Sequence, residues 1–138
     1  MTIQQTQTTS FKKELYQGIH DLSTDHIYIA LYTANASLNQ DTTVYSSTNE
    51  ITGTGYTAGG KQLLNPVISS SGYTAYVSFN NASWSGALTA RCALIYNASK
   101  ANRAIAVLDF GSNKTSTTTF TVTMPANTAD SALIRSSN

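Results

Sequence analysis

The chain has 138 residues, the length of one ordinary domain, and 41% of them are hydrophobic, which argues against disorder. Charged residues make up only 11%, less than half the usual share of about 25%, and the formal net charge is +1. Nucleic acid is therefore excluded as an expected partner, because phosphate binding requires clustered Lys and Arg. Thr, Ser and Asn must supply the polar surface, which suits dense packing against copies of the chain or against a large partner.

Cysteine content and hydropathy exclude further classes of protein. Cys92 is the only cysteine, so we expect no intrachain disulfide and no cysteine-based metal cluster, and a buried thiol is the simplest interpretation. No window approaches the roughly 18 apolar residues of a membrane span, and the polar N-terminus lacks the apolar stretch of a signal peptide. We expect a protein made in a cytoplasm, with no membrane partner.

The N-terminal region predicts an arm followed by one short helix. Residues 1–9 show no hydrophobic periodicity and predict an extended arm ahead of a single domain, residues 10–138. Ser10 is the predicted N-cap, and Gly18 weakens the helix by about 1 kcal/mol relative to Ala, so the helix needs a surface to lie on. The apolar residues with helical spacing are Phe11, Leu15, Ile19 and Leu22.

From residue 26 onward the pattern is typical of β-strands. The predicted strands are 26–33, 43–45, 62–69, 73–79, 88–96, 103–110, 117–124 and 132–135. The first is apolar on both faces, which indicates a strand covered twice, and Pro66 indicates that 62–69 lies at an edge. The polar link 97–102 predicts a hairpin. The predicted fold class is mostly β: an antiparallel β-sandwich, jelly-roll-like or immunoglobulin-like, with one short N-terminal helix.

Few residues in the chain favour catalysis. Ligand-type side chains concentrate only between His20 and His26, where Asp21 and Asp25 also lie. A metal site is conceivable there, but capping and turning of the backbone is the favoured interpretation. No Gly-x-Ser-x-Gly elbow is present, and the glycines of 53–60 lack both P-loop spacing and a following helix. We expect no enzyme, no metal site and no cofactor.

The eight tyrosines leave a sugar-binding module open as an alternative. Exposed tyrosines on a β-sandwich can stack on sugar rings. However, Tyr28, Tyr32, Tyr76 and Tyr96 alternate with aliphatic positions, so we favour the interpretation that they cover a half-buried sheet. A glycan site would require Trp84 or several tyrosines to share one exposed, shallow cleft.

The remaining distinctive features are the arm and the loop 51–60, which carries four glycines. Neighbouring subunits commonly clasp such segments, because each can add a strand or pack close to foreign backbone. We expect the fold to survive removal of residues 2–9. The predicted contact residues are Thr2, Ile3, Gln4, Gln5 and Thr8 in the arm, and Gly53, Gly55, Tyr56, Gly59 and Gly60 in the loop.

Three segments of the chain carry a family resemblance. They are 11–33, which starts Phe-Lys-Lys-Glu-Leu-Tyr; 48–60, which contains Gly-Thr-Gly-Tyr-Thr-Ala-Gly-Gly; and 93–111, which starts Ala-Leu-Ile-Tyr-Asn-Ala-Ser-Lys. Together they resemble small virion structural proteins of tailed bacteriophages, a group that includes capsid cement or decoration proteins. The resemblance spans residues 10–111 and leaves the polar C-terminal tail outside.

The resemblance implies a jelly-roll-like domain that binds the major capsid protein and seals joints between capsomers. It implies a location on the capsid surface of the virion after synthesis in the host cytoplasm, and it implies no catalytic residues. We expect a homo-oligomer, a dimer or trimer on a symmetry axis. The alternative function is a tail or head-fibre component that binds a host-surface glycan.

Overall fold

The computed structural model describes residues 3–137, and within them the chain forms one helix and ten strands. These elements are β1 (Thr6–Gln7), α1 (Thr9–Tyr16), β2 (Ile27–Tyr32), β3 (Lys61–Gln62), β4 (Val67–Ser71), β5 (Thr74–Ser78), β6 (Ala82–Ser85), β7 (Thr89–Asn97), β8 (Arg103–Thr115), β9 (Thr119–Val122) and β10 (Ile134–Ser136). All pairs of these strands are antiparallel. The predicted class, mostly β with one short helix, is confirmed.

The strands form three sheets. A five-stranded sheet has the order β1-β8-β7-β2-β3, a three-stranded sheet β10-β5-β4, and a two-stranded sheet pairs β6 with β9. All three contribute to one core, in which Ile29 and Ala93 of the large sheet join Val77, Trp84 and Phe120 of the small ones. The small sheets therefore share an apolar layer with the large sheet, whereas the jelly-roll connectivity is not confirmed.

Strand β2 is covered on both faces, as its sequence predicts. Ile29 and Leu31 belong to the main core, whereas Ala30 and Tyr32 belong to a second buried cluster on the other face. The connection between β2 and β3 covers this second face with Leu38 and other apolar residues. The hairpin predicted around residues 97–102 is also confirmed, because β7 and β8 pair on either side of it.

The helix starts earlier and ends earlier than predicted. Its N-cap is Thr8, whose hydroxyl accepts from Phe11 N at 3.2 Å. It ends at Tyr16, because Gly18 adopts a φ of +71° and Ile19 N bonds back to Glu14 O at 3.1 Å. A glycine in this conformation ends many helices. The apolar residues with helical spacing beyond Gly18 therefore lie in the connection between α1 and β2.

Two strand predictions need correction, and one strand was missed. The segment 62–69 divides into β3 and β4, because Pro66 has no N–H and Asn65 adopts a φ of +56°. The segment 43–45 forms only an isolated bridge between Val44 and Arg103. Strand β6 was not predicted; its alternation of buried Ala and Trp with exposed Ser spans only four residues.

The segment predicted as an arm packs against the rest of the domain from Ile3 onward, and its residues Thr6–Gln7 form strand β1 of the large sheet. Gln4 N donates to Leu38 O at 2.9 Å, and Thr6 and Gln7 pair with the outer side of β8. Thr8 is fully buried. The long strand β8 would otherwise expose this part of its edge, and β1 pairs with it at Ala106 and Val107. Removal of residues 2–9 is therefore expected to destabilise the fold, contrary to the prediction from the sequence; Thr2 itself lies outside the described residues.

Candidate docking surfaces

The two histidines contact different partners. His20 Nε2 lies 2.8 Å from Glu14 Oε1, and His20 Nδ1 lies 3.0 Å from Asn97 Nδ2. His26 Nδ1 lies instead 2.9 Å from Gln62 Nε2, on the surface. Across residues 3–137, no three His, Cys, Asp or Glu side chains are arranged to hold a metal ion. The residues between α1 and β2 form a structural polar network.

Asp25 links this network to the β7–β8 hairpin. Its carboxylate accepts from Asn97 Nδ2 at 2.8 Å, from the Asp21 amide at 3.0 Å and from Lys100 Nζ at 2.9 Å. Burial opposes ionisation of Asp25, but these hydrogen bonds outweigh it and lower the pKa of its carboxyl to about 2. Asp25 thus links the β7–β8 hairpin to the residues that immediately precede β2.

Replacing Asp25 by Asn is expected to lower the free energy of unfolding at neutral pH by about 1–2 kcal/mol, allowing for solvent screening. Because the pKa of Asp25 is lowered on folding, its stabilisation is present above the ordinary aspartate pKa of 3.8 and disappears as the pH falls to about 2. Denaturation of both proteins across this pH range measures the effect, and exposed Asp41→Asn is the control. A difference between wild type and Asp25→Asn that stays constant from pH 7 to pH 2 would contradict this assignment.

Glu50 anchors the glycine-rich loop. Tyr45 Oη donates to Glu50 Oε1 at 2.5 Å, Tyr56 Oη donates to Oε2, and Gly59 N donates to Oε2 at 2.8 Å. Tyr56 Oη also accepts from Leu31 N at 2.9 Å, so the loop is bonded to β2. No motif or periodicity in the sequence marks Glu50, although it is the only charged residue of segment 48–60.

The tyrosines around Glu50 are held in their neutral form. Burial and the hydrogen bond to Glu50 raise the pKa of Tyr45 and of Tyr56 above the usual range for phenols. Burial also raises the pKa of Tyr96 to about 12. Tyr96 Oη donates to Gly59 O at 2.6 Å, and its ring stacks on Tyr45 at 4.7 Å between centroids. These phenols serve as hydrogen-bond donors that fix the loop.

Two glycines of the loop pack against the backbone of their own chain. Gly60 has a φ of +79°, and a Cβ there would lie 1.8 Å from Ile29 O. Gly55 has a φ of +93°, and a Cβ there would lie 1.7 Å from Ser85 O. The glycines at positions 55 and 60 are therefore required by packing within the chain itself, whereas contact of the exposed Gly55 with another protein stays a prediction.

The other predicted loop residues divide between the interior and the surface. Tyr56 is half-buried and Gly59 is bonded to Glu50, whereas Gly53 is exposed. We define the loop rim as the exposed residues of this loop: Thr52, Gly53, Thr54, Gly55, Thr57 and Ala58. The rim has no charge and is held from beneath by Glu50, so ordering it on binding costs little entropy.

The second candidate surface is strand β4, one of the two outer strands of the three-stranded sheet. Each of its residues is exposed or half-buried, including the apolar Val67 and Ile68. Tyr73, in the turn between β4 and β5, is 87% exposed. An exposed, uncharged edge of this length is an unusual feature of a natural sheet.

The aromatic residues do not gather as a sugar site would require. Trp84 is buried, and so are Tyr32 and Tyr96, which confirms that the last two cover the sheet. The strongly exposed Tyr16 and Tyr73 lie on different elements, α1 and the β4–β5 turn. Among residues 3–137, Trp84 and the exposed tyrosines therefore do not form a common cleft.

Comparison with known proteins adds no relative: no family model, curated protein or solved structure matches the chain. Among residues 3–137, no helix combines the length and the apolar character that crossing a bilayer requires. The loop rim and β4 are thus the surfaces on which a functional interpretation rests.

Proposed function

We propose that the chain is a structural protein of a tailed-phage virion, a capsid cement protein that binds the major capsid protein and stabilises the head. The observation that carries the proposal is the loop rim: exposed, uncharged and fixed in shape by Glu50, Tyr45 and Tyr56. Such a preformed surface suits docking onto a rigid assembly. The resemblance of segments 11–33, 48–60 and 93–111 to virion proteins supports the same function.

The composition fits a crowded capsid surface. A nearly neutral chain rich in hydroxyls avoids mutual repulsion when many copies lie side by side. An interface of about 800 Å² per partner, repeated over the head, is enough for stable attachment. A glycan-binding role in a tail or head fibre has less support, because Trp84 is buried and the exposed tyrosines are dispersed.

Purified protein is expected to co-sediment with empty, expanded heads that lack it, made from the phage whose genome encodes it. Thr54→Lys is expected to weaken this binding about tenfold or more, because it places a bulky charge on the rim. The side chain of Thr54 is exposed, so the thermal midpoint should change little. Affinity is read from the bound fraction across a protein titration.

Thr43→Lys is the matched control, since Thr43 is also exposed but lies outside the loop. It should bind as the wild type does. Wild-type protein that stays in the supernatant at every concentration would refute the cement function. Equal binding of wild type and Thr54→Lys would refute the role of the rim.

A further inference from the structure

We propose that two copies of the chain pair through β4, edge to edge and antiparallel, to form one continuous six-stranded sheet across a twofold axis. The sheet order would be β10-β5-β4 followed by β4-β5-β10 of the second copy. The proposal does not depend on the cement function, because it concerns a different surface from the loop rim.

The first observation is that β4 lacks the usual protection of an edge strand. Natural edges carry Lys or another charge, a Pro, a bulge, or a very short strand that prevents pairing with a second chain. Strand β4 has five residues, Val67–Ser71, none of them charged or Pro, and pairs with β5 in unbroken register. Pro66 directly precedes the strand, so in a pair centred on Ile68 it limits the ladder at its ends and leaves the Ile68 pair as the central contact. The outer side of β4 is therefore ready to accept another strand.

The second observation identifies the free backbone groups. The turn between β4 and β5 has two residues, so the adjacent pair Ser71 and Thr74 exchanges hydrogen bonds. Bonded and non-bonded pairs alternate along an antiparallel ladder. Ile68 and Ser70 are consequently the β4 residues that direct N–H and C=O away from β5.

The third observation is that the apolar layer under the sheet is unfinished at this edge. Ile68 lies opposite Val77, which lies opposite Ile134, so the three side chains share one face. Val77 and Ile134 are each 4% exposed, whereas Ile68 is 56% exposed. A groove of about 480 Å³ opens beside Ile68, and Leu15 and Leu22 line its other side. One further apolar side chain next to Ile68 would continue the layer.

A second copy provides that side chain. In an antiparallel pair centred on Ile68, the two copies of Ile68 lie opposite each other and exchange N–H···O=C bonds in both directions. Each Ile68 then covers the other, and the absence of charge in Val67–Ser71 means that the twofold axis brings no like charges together. Ile68 of each copy is thus both the exposed apolar side chain and the one that buries its counterpart.

Sedimentation velocity of the purified full chain is expected to show a dimer, and Ile68→Lys is expected to show a monomer. Val44→Lys is the matched control, because Val44 is 48% exposed and undergoes the same chemical change far along the chain from β4. It should remain dimeric. A monomeric wild type, or a dimer that persists in Ile68→Lys, overturns the proposal. The head-binding experiment is separate, so either proposal can fail alone.

Cysteine crosslinking tests the register. In Ile68→Cys the two Cα atoms would be about 5.5 Å apart, within the range that a disulfide spans. In Ser70→Cys each cysteine would lie about 13 Å along the strands from its counterpart. Mild oxidation should therefore yield covalent dimers for Ile68→Cys only, while the native Cys92 is buried and should not react. Crosslinking through Ser70→Cys but not through Ile68→Cys overturns the proposed pairing.

Discussion

Replacing Gly60 by Ala is expected to destabilise the fold by about 3 kcal/mol or more, the largest effect of any substitution considered. The added Cβ would lie 1.8 Å from Ile29 O and 2.6 Å from the carbonyl carbon, so β2 and the loop would have to separate. The φ of +79° adds strain that an L-residue bears poorly. Because Ile29 belongs to the main core, the separation also exposes apolar surface.

Chemical denaturation, monitored by circular dichroism, measures the decrease in the free energy of unfolding. Gly72→Ala is the matched control. Gly72 also has a positive φ, +58°, but a Cβ there meets nothing within 4 Å. Its substitution should cost only about 1–2 kcal/mol, from the backbone conformation alone. Equal losses for the two variants would show that the contact between the loop and β2 is not as tight as described.

Replacing Tyr56 by Phe is expected to cost about 2–3 kcal/mol. The missing hydroxyl removes one donor to Glu50 and leaves the amide of buried Leu31 without its acceptor. A buried donor without a partner costs about 1–3 kcal/mol, in addition to the hydrogen bond to a charged group that is lost. The ring of Phe keeps the aromatic contact with Trp84, so packing changes little.

The measurement is again the free energy of unfolding, with hydrogen exchange at the Gly59 amide as a local readout. That amide donates to Glu50 and should exchange faster in Tyr56→Phe, because the carboxylate is less firmly held. Tyr73→Phe makes the same chemical change at an exposed ring and should alter neither quantity. An unchanged exchange rate in Tyr56→Phe would show that Glu50 does not anchor the loop.

Local patterns in the sequence predicted the fold where burial follows a simple period. The double-sided apolar run of β2 and the hairpin of β7 and β8 were confirmed. The prediction of a free N-terminal arm is wrong, because residues 6 and 7 join the sheet through backbone hydrogen bonds to β8. Such bonds leave no hydrophobic pattern in the sequence. The end of α1 depended on the conformation of Gly18, which outweighed the apolar spacing that continued beyond it.

The candidate surfaces were only partly predictable. The sequence identified loop 51–60, but it could not show which backbone the glycines approach, since Ser85 O and Ile29 O come from distant parts of the chain. Pro66 correctly indicated an edge near residues 62–69. The exposure of Ile68 depends on sheet order, which neighbouring residues do not encode.

The most direct test of the proposed docking is electron cryomicroscopy of expanded heads decorated with the wild-type protein. Residues 52–58 are expected to lie against the major capsid protein, with the loop in the conformation that Glu50 fixes in the free chain. Density in which this loop points into solvent while another face touches the capsid would contradict it.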